Sequence, residues 1–194
     1  MVVVSRSLIF MFVLNLFLLA CETTLHEQRL PELTFAHLTP IKLNVAKINV
    51  EVQYKPTLRK PNVEHLFPTP PAEAIKQWAK DRLLPVGDFG EAKLIIIEAS
   101  AIEKKLSQKE GFTAAFMRQQ SHRYEAIVVA RLEISSSLGQ GSARAKVMRF
   151  TSVREDANIN KRERAWFDLT EALARNFDVI IEKNIRQHLS QFLR

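Results

Sequence analysis

Apolar residues alternate with polar ones over several stretches of this chain and recur at helical spacing over two others. Ile41, Leu43 and Val45 alternate with polar neighbours, and Ile48, Val50, Val52 and Tyr54 do so on the opposite parity. That pattern predicts a strand over 41–54 with a one-residue bulge near Ala46–Lys47. Ala92 to about Leu106 predicts a second strand, and Leu94–Ile97 within it is apolar on both parities, as suits a central strand. From Arg123 to Ile134, Tyr124, Ala126, Val128, Ala130, Leu132 and Ile134 share one face. Arg123, Glu125, Arg131 and Glu133 share the other. Ser135–Ser142, with Gly139 and Gly141, predicts a hairpin turn, and Ala143–Val153 the returning strand.

Two stretches carry the helical period. Pro70–Pro71 opens the first, as proline does in a first turn, and Ala72, Ile75, Trp78, Ala79 and Leu83 form its apolar stripe. The second begins at an N-cap pair of Asn160 and Glu163. Its stripe is Trp166, Leu169, Leu173, Phe177, Ile180, Ile181, Ile185, Leu189 and Phe192, while Arg164, Asp168, Asp178 and Glu182 lie off it. Some 30 residues of helix span about 45 Å. The loop Lys55–Pro71 holds five of the eight prolines, with Val63, Leu66 and Phe67 as the side chains expected to pin it. The stretch 107–122 carries Phe112, Phe116 and Met117 at near-helical spacing. They form either a lid over the sheet edge or an exposed apolar patch for a partner or lipid. The element order β-α-β-β-β-α implies an α+β fold: a four-stranded, mostly antiparallel sheet with two helices on one face.

The N-terminal stretch has a different pattern. Leu8 to Ala20 is apolar apart from Asn15, too short for a membrane-spanning helix, which needs roughly 20 residues. It closes on Leu18-Leu19-Ala20-Cys21, and Cys21 is the sole cysteine. This reads as a lipobox: a branched residue, a small residue at the cut, and the thiol that takes the lipid. The division expected is a lipoprotein signal peptide at 1–20, a lipidated tether at 21–40 and one domain at 41–194. A covalent diacylglycerol and an N-acyl chain on Cys21 supply the multiple chains that stable anchoring requires. No other cofactor is expected. With that thiol used, the domain is held by burial without disulfides. Glu22, rather than Asp, follows the cysteine, and by resemblance to well-studied lipoproteins this favours the outer membrane over the inner.

Charge matters once export is assumed. The chain carries net charge +7; removing residues 1–20, whose one charged side chain is Arg6, leaves +6. Outside the cytoplasm the anions are lipid head groups, phosphorylated glycolipid and acidic proteins, so nucleic acid is not an expected partner. Arg144, Lys146 and Arg154 share parity on one strand and form the candidate basic surface, whereas Arg149 does not share it. His26, His37, His65, His122 and His188 make no metal-ligand spacing. Gly139-Gln140-Gly141-Ser142 joins two strands and is no phosphate loop, and no spacing pairs Glu98, Glu103, Glu155 or Asp156 in a pocket. The expectation is a protein without catalytic residues or metal.

A lipobox followed by strand, helix, three strands and helix resembles the LPS-assembly lipoprotein that plugs an outer-membrane β-barrel. It also resembles the auxiliary lipoproteins of ABC-type lipid transporters. The first family has Trp-x-Leu after its cysteine, where this chain has Glu22-Thr23-Thr24-Leu25. Asn62-Val63-Glu64-His65-Leu66-Phe67-Pro68, with Trp78-Ala79-Lys80-Asp81-Arg82-Leu83, resembles a group of uncharacterised bacterial lipoproteins. That last group brings no assigned activity; the first two resemblances imply a non-enzymatic subunit of an envelope assembly or lipid/LPS-transport machine, facing the periplasm beside an envelope protein partner. The alternative is a stand-alone binder of an anionic lipid or glycolipid.

Overall fold

The computed structural model describes residues 30–106 and 120–194. Cys21, Phe112, Phe116 and Met117 lie outside the described residues. The described chain forms β1 (Ile41–Leu43), β2 (Lys47–Val52), α1 (Pro71–Arg82), β3 (Leu83–Pro85), β4 (Glu91–Lys105), β5 (Gln120–Ser136), β6 (Gly139–Arg154) and α2 (Ile159–His188). Strands β2-β4-β5-β6 make a mixed four-stranded sheet, parallel at β2–β4 and antiparallel elsewhere. The fold is α+β, with one small addition: β1 and β3 pair in parallel as a separate two-stranded sheet.

That addition explains the parity change near Ala46. The predicted continuous strand is two strands in two sheets, and the chain crosses between them at Asn44–Ala46. Ile41, Leu43 and Val45 are buried, whereas Val50 and Val52 are exposed on the edge strand β2. The bulge belongs instead to β4, where the register shifts between Ile96 and Glu98. Re-phasing there lets Ala99 and Ala101 continue the face begun by Ala92, Leu94 and Ile96.

One sheet face carries the core. Tyr124, Ala126, Val128, Ala130, Leu132 and Ile134 of β5 pack with Ala143, Ala145 and Val147 of β6 and with stripe residues of both helices. On α1 the stripe is Ala74, Ile75, Trp78 and Ala79; on α2 it is Trp166, Leu169, Leu173, Phe177, Ile181 and Ile185. Core packing begins inside the stretch read as tether, since Leu33 and Phe35 are buried. In the proline-rich loop Val63 and Phe67 are buried, and Phe67 stacks on Trp166 at 5.2 Å, but Leu66 is exposed.

Two further expectations shift. The cap of α2 is Asn158, whose side chain accepts from the backbone N–H of Lys161 at 3.0 Å, two residues before the expected pair. The predicted turn 135–142 is mostly strand, because the β5–β6 turn is only Ser137–Leu138. Gly141 sits inside β6 for packing: a Cβ there would lie 2.6 Å from Leu189 Cδ2 and 2.9 Å from Phe192 Cε2.

Candidate functional site

The opposite sheet face has no helix on it among the described residues. Alternation puts Lys93 and Ile95 of β4, Arg123, Glu125, Ile127, Val129 and Arg131 of β5, and Arg144, Lys146, Met148 and Phe150 of β6 on that side. Ile95 and Val129 are buried there yet stand apart from the helix-covered core. In the register Ile95 lies between Glu51 and Arg131, and Val129 between Glu98 and Lys146. Long charged side chains cover apolar surface with their stems in such a setting.

On the β5–β6 half the apolar residues reach solvent. Met148 is 65% exposed and Phe150 59% exposed. Met148 pairs with Ile127 and Phe150 with Glu125. The guanidinium of Arg123 lies over the Phe150 ring, 3.8 Å from its centroid. Arg123 also forms an ion pair with Glu125, Nε to Oε1 at 2.9 Å, and Lys104 Nζ donates to Oε2 at 2.7 Å. The hydrogen bond from Lys104, aided by the Arg123 charge, holds the Glu125 carboxyl below its usual range.

The expected basic triple is only partly brought together. Arg144 and Lys146 are next neighbours on this face, about 7 Å apart along the strand. Arg154 shares their parity but lies eight residues past Lys146, about 27 Å away. There its Nη2 donates to Asp156 Oδ2 at 3.1 Å. Between the two ends stand Met148 and Phe150, which the sequence reading passed over. Their parity was the available signal, since they occupy the same face as the three cations. Arg131 lies directly opposite Arg144 and forms an ion pair with Glu133 at 2.8 Å. The free edge of β6 is capped at one point, where Asn184 of α2 donates to the Arg144 carbonyl at 2.7 Å.

Other polar clusters join elements of the fold. Arg82, buried in the last turn of α1, donates to Asp178 Oδ1 at 2.8 Å and also pairs with Glu182. Trp78 Nε1 donates to the same Asp178 oxygen. Glu64 is buried and takes hydrogen bonds from the Tyr54 hydroxyl at 2.6 Å and the Ala101 N–H at 3.1 Å. Burial by itself would raise the Glu64 carboxyl; donation from Tyr54, the backbone and Asn62 outweighs it and holds the group below its usual range. Tyr124 donates to Glu103 at 2.8 Å, and burial with that carboxylate pushes its hydroxyl up to about 12. His122 Nε2 lies 4.0 Å from the same carboxylate. The Tyr124–Glu103 bond joins paired residues of β4 and β5.

No three His, Cys, Asp or Glu side chains among the described residues are placed to hold a metal ion. No helix among them is long and apolar enough to cross a membrane. An open polar cleft of about 560 Å³ lies where β4, β5 and β6 meet the hairpin, lined by Glu91, Lys93, Glu133, Gln140 and Ser142 among others.

No protein-family model matches the chain, and no curated protein matches it in sequence. Among solved structures, it is similar to a minor lipoprotein from Acinetobacter baumannii, with 14% identity and a TM-score of 0.36, covering 78% of this chain and 96% of that one. It is also similar to rare lipoprotein B from Shewanella oneidensis, with 8% identity and a TM-score of 0.35, covering 71% and 92% respectively. Both names are those of bacterial lipoproteins.

Proposed function

We propose that this chain is an exported lipoprotein, anchored through Cys21, that serves without catalysis as a subunit of an envelope assembly or lipid/LPS-transport machine. The bare sheet face is where its protein partner docks. One observation carries this reading: Met148 and Phe150 stand exposed side by side on a sheet face, flanked by Arg123, Arg144 and Lys146. Aromatic residues, Met and Arg are the types enriched in protein interfaces, and adjacent exposed apolar side chains mark an interaction surface. Anchorage rests on the lipobox Leu18-Leu19-Ala20-Cys21, and Glu22 at the next position favours the outer membrane.

Two measurements test this. A fatty-acid analogue should label the wild-type chain in cells and leave Cys21→Ser unlabelled. Purification from detergent-solubilised membranes should recover a membrane protein in fixed ratio to the chain. Recovery of lipid without protein would favour the second reading, a stand-alone binder of anionic lipid or glycolipid, for which the adjacent Arg144 and Lys146 are the argument.

A further inference from the structure

A second exposed apolar feature lies at one end of the sheet, away from Met148 and Phe150. Glu91 opens β4 and pairs with Ser135, near the end of β5. The loop just before Glu91 and the turn just after Ser136 therefore lie side by side, on adjacent strands about 5 Å apart. They are locked together at Gly90, whose φ of +87° and whose contact with Ser136 leave no room for a side chain: a Cβ there would lie 2.6 Å from Ser136 Cβ. Each tip presents one large apolar side chain to solvent. Phe89 is 76% exposed and Leu138 is 50% exposed. Two rigidly paired tips, each ending in an apolar side chain, offer little area for a protein interface but suit shallow insertion into a lipid surface.

The chain path says what covers them. The segment entering the fold is fixed at the same end: Asp81, in the last turn of α1, accepts from Thr34 Oγ1 at 3.0 Å and from the Phe35 N–H at 2.8 Å. Two residues later α1 gives way to β3, which pairs with β1, and the following Gly87 packs on Asn44. The chain then reaches Phe89. Cys21 precedes Leu30 by nine residues, a reach of at most about 30 Å. The contacts that fix this end, at Thr34 and Phe35, follow Cys21 by 13 and 14 residues, so a lipid on Cys21 holds it within about 45 Å of the bilayer surface. We infer that Phe89 and Leu138 insert into the interfacial layer of the membrane that holds the lipid anchor, setting the domain upright with its bare sheet face turned sideways toward a partner in the same membrane. This inference rests on the anchor reading above.

The test uses the full chain, processed in cells and reconstituted into phosphatidylcholine vesicles with brominated acyl chains. Phe89→Trp and Leu138→Trp each place an indole at a tip; both native residues are exposed, so neither change disturbs the core. Leu66→Trp places one at the far end of β4, and Phe150→Trp one on the bare face. Native Trp78 and Trp166 are buried, and their signal is subtracted. Bromolipid should quench the Phe89→Trp and Leu138→Trp emission and spare the Leu66→Trp and Phe150→Trp emission. Fatty-acid label at Cys21 is read in the same samples. Label present with unquenched tips overturns the inference and leaves the anchor standing; so does quenching at Phe150→Trp in place of the tips. Absence of label overturns both.

Discussion

Trp78 and Asp178 lie 100 residues apart in the chain and 2.7 Å apart in the fold, the indole N–H donating to the carboxylate. Asp178 accepts from buried Arg82 at the same oxygen, so one side chain of α2 satisfies two donors of α1. The clasp fixes how the helices sit over the sheet. Trp78 also meets Phe177 edge-on at 5.0 Å, so apolar and polar contacts of α1 converge on one turn of α2.

Removing Asp178 leaves Arg82 Nε and the Trp78 indole N–H without their acceptor, while Glu182 keeps its hold on the far end of the guanidinium. Asp178→Ala should cost about 1–3 kcal/mol, the usual loss when buried donors are left unsatisfied. Asp178→Asn keeps an acceptor and should cost less. Urea unfolding of the two variants checks the order. Equal and small losses would mean that solvent reaches Arg82 and takes over the role of Asp178.

Leu173 lies mid-stripe on α2 and is 1% exposed. Leu173→Ala should cost about 2–5 kcal/mol through lost contacts and the cavity left behind. Thermal melting reads it directly, and an unchanged melting temperature would mean that α2 does not press this face on the sheet.

The Glu64 carboxyl gives stability a pH dependence with a defined sign. Its folded value lies below its ordinary one because Tyr54, the backbone and Asn62 donate to the charged form, against the opposing effect of burial. The stabilisation is therefore complete above the unfolded value of about 4.3. It is lost as pH falls through the depressed folded value. Glu64→Gln should flatten the decline in unfolding free energy on acidification without abolishing it, since Asp81, Glu91 and Glu125 are also held low. An unaltered acid slope in Glu64→Gln would remove Glu64 from the account.

Much of the framework was legible in the sequence because the burial it encodes is periodic. Leu169, Leu173, Phe177, Ile181 and Ile185 announce α2, and strict alternation from Tyr124 to Ile134 announces β5. What escaped were features set by contacts distant in sequence. Ala46 marks a change of sheet rather than a bulge, and local alternation reads the same in both cases. Asp178 has the spacing of a solvated helix face, and only the approach of Arg82 and Trp78 buries it. Gly139 and Gly141 carry a turn signature, yet Gly141 is needed where Leu189 and Phe192 press on β6. On the candidate face the parity of Arg144, Lys146 and Arg154 was visible. Distance along the strand, which parity ignores, takes Arg154 out of the group and puts Met148 and Phe150 between.

The basic pair separates a protein partner from a lipid ligand. Arg144→Gln with Lys146→Gln should leave the melting temperature close to that of wild type, since exposed positions of this kind change stability by only about 0.5 kcal/mol. If the face serves a protein partner, weak binding to anionic vesicles persists after the change. A steep loss of vesicle binding, with a flattened dependence on salt, would favour the lipid binder, because salt screens such contacts over about 8 Å.

The docking claim is met most directly by a photo-crosslinking side chain placed at Phe150 in cells carrying the acylated chain, with Leu66 as the comparison position. The account predicts a discrete adduct with one membrane protein from position 150 and none from position 66. No protein adduct from position 150, in a chain that is labelled at Cys21 and folded, would contradict it.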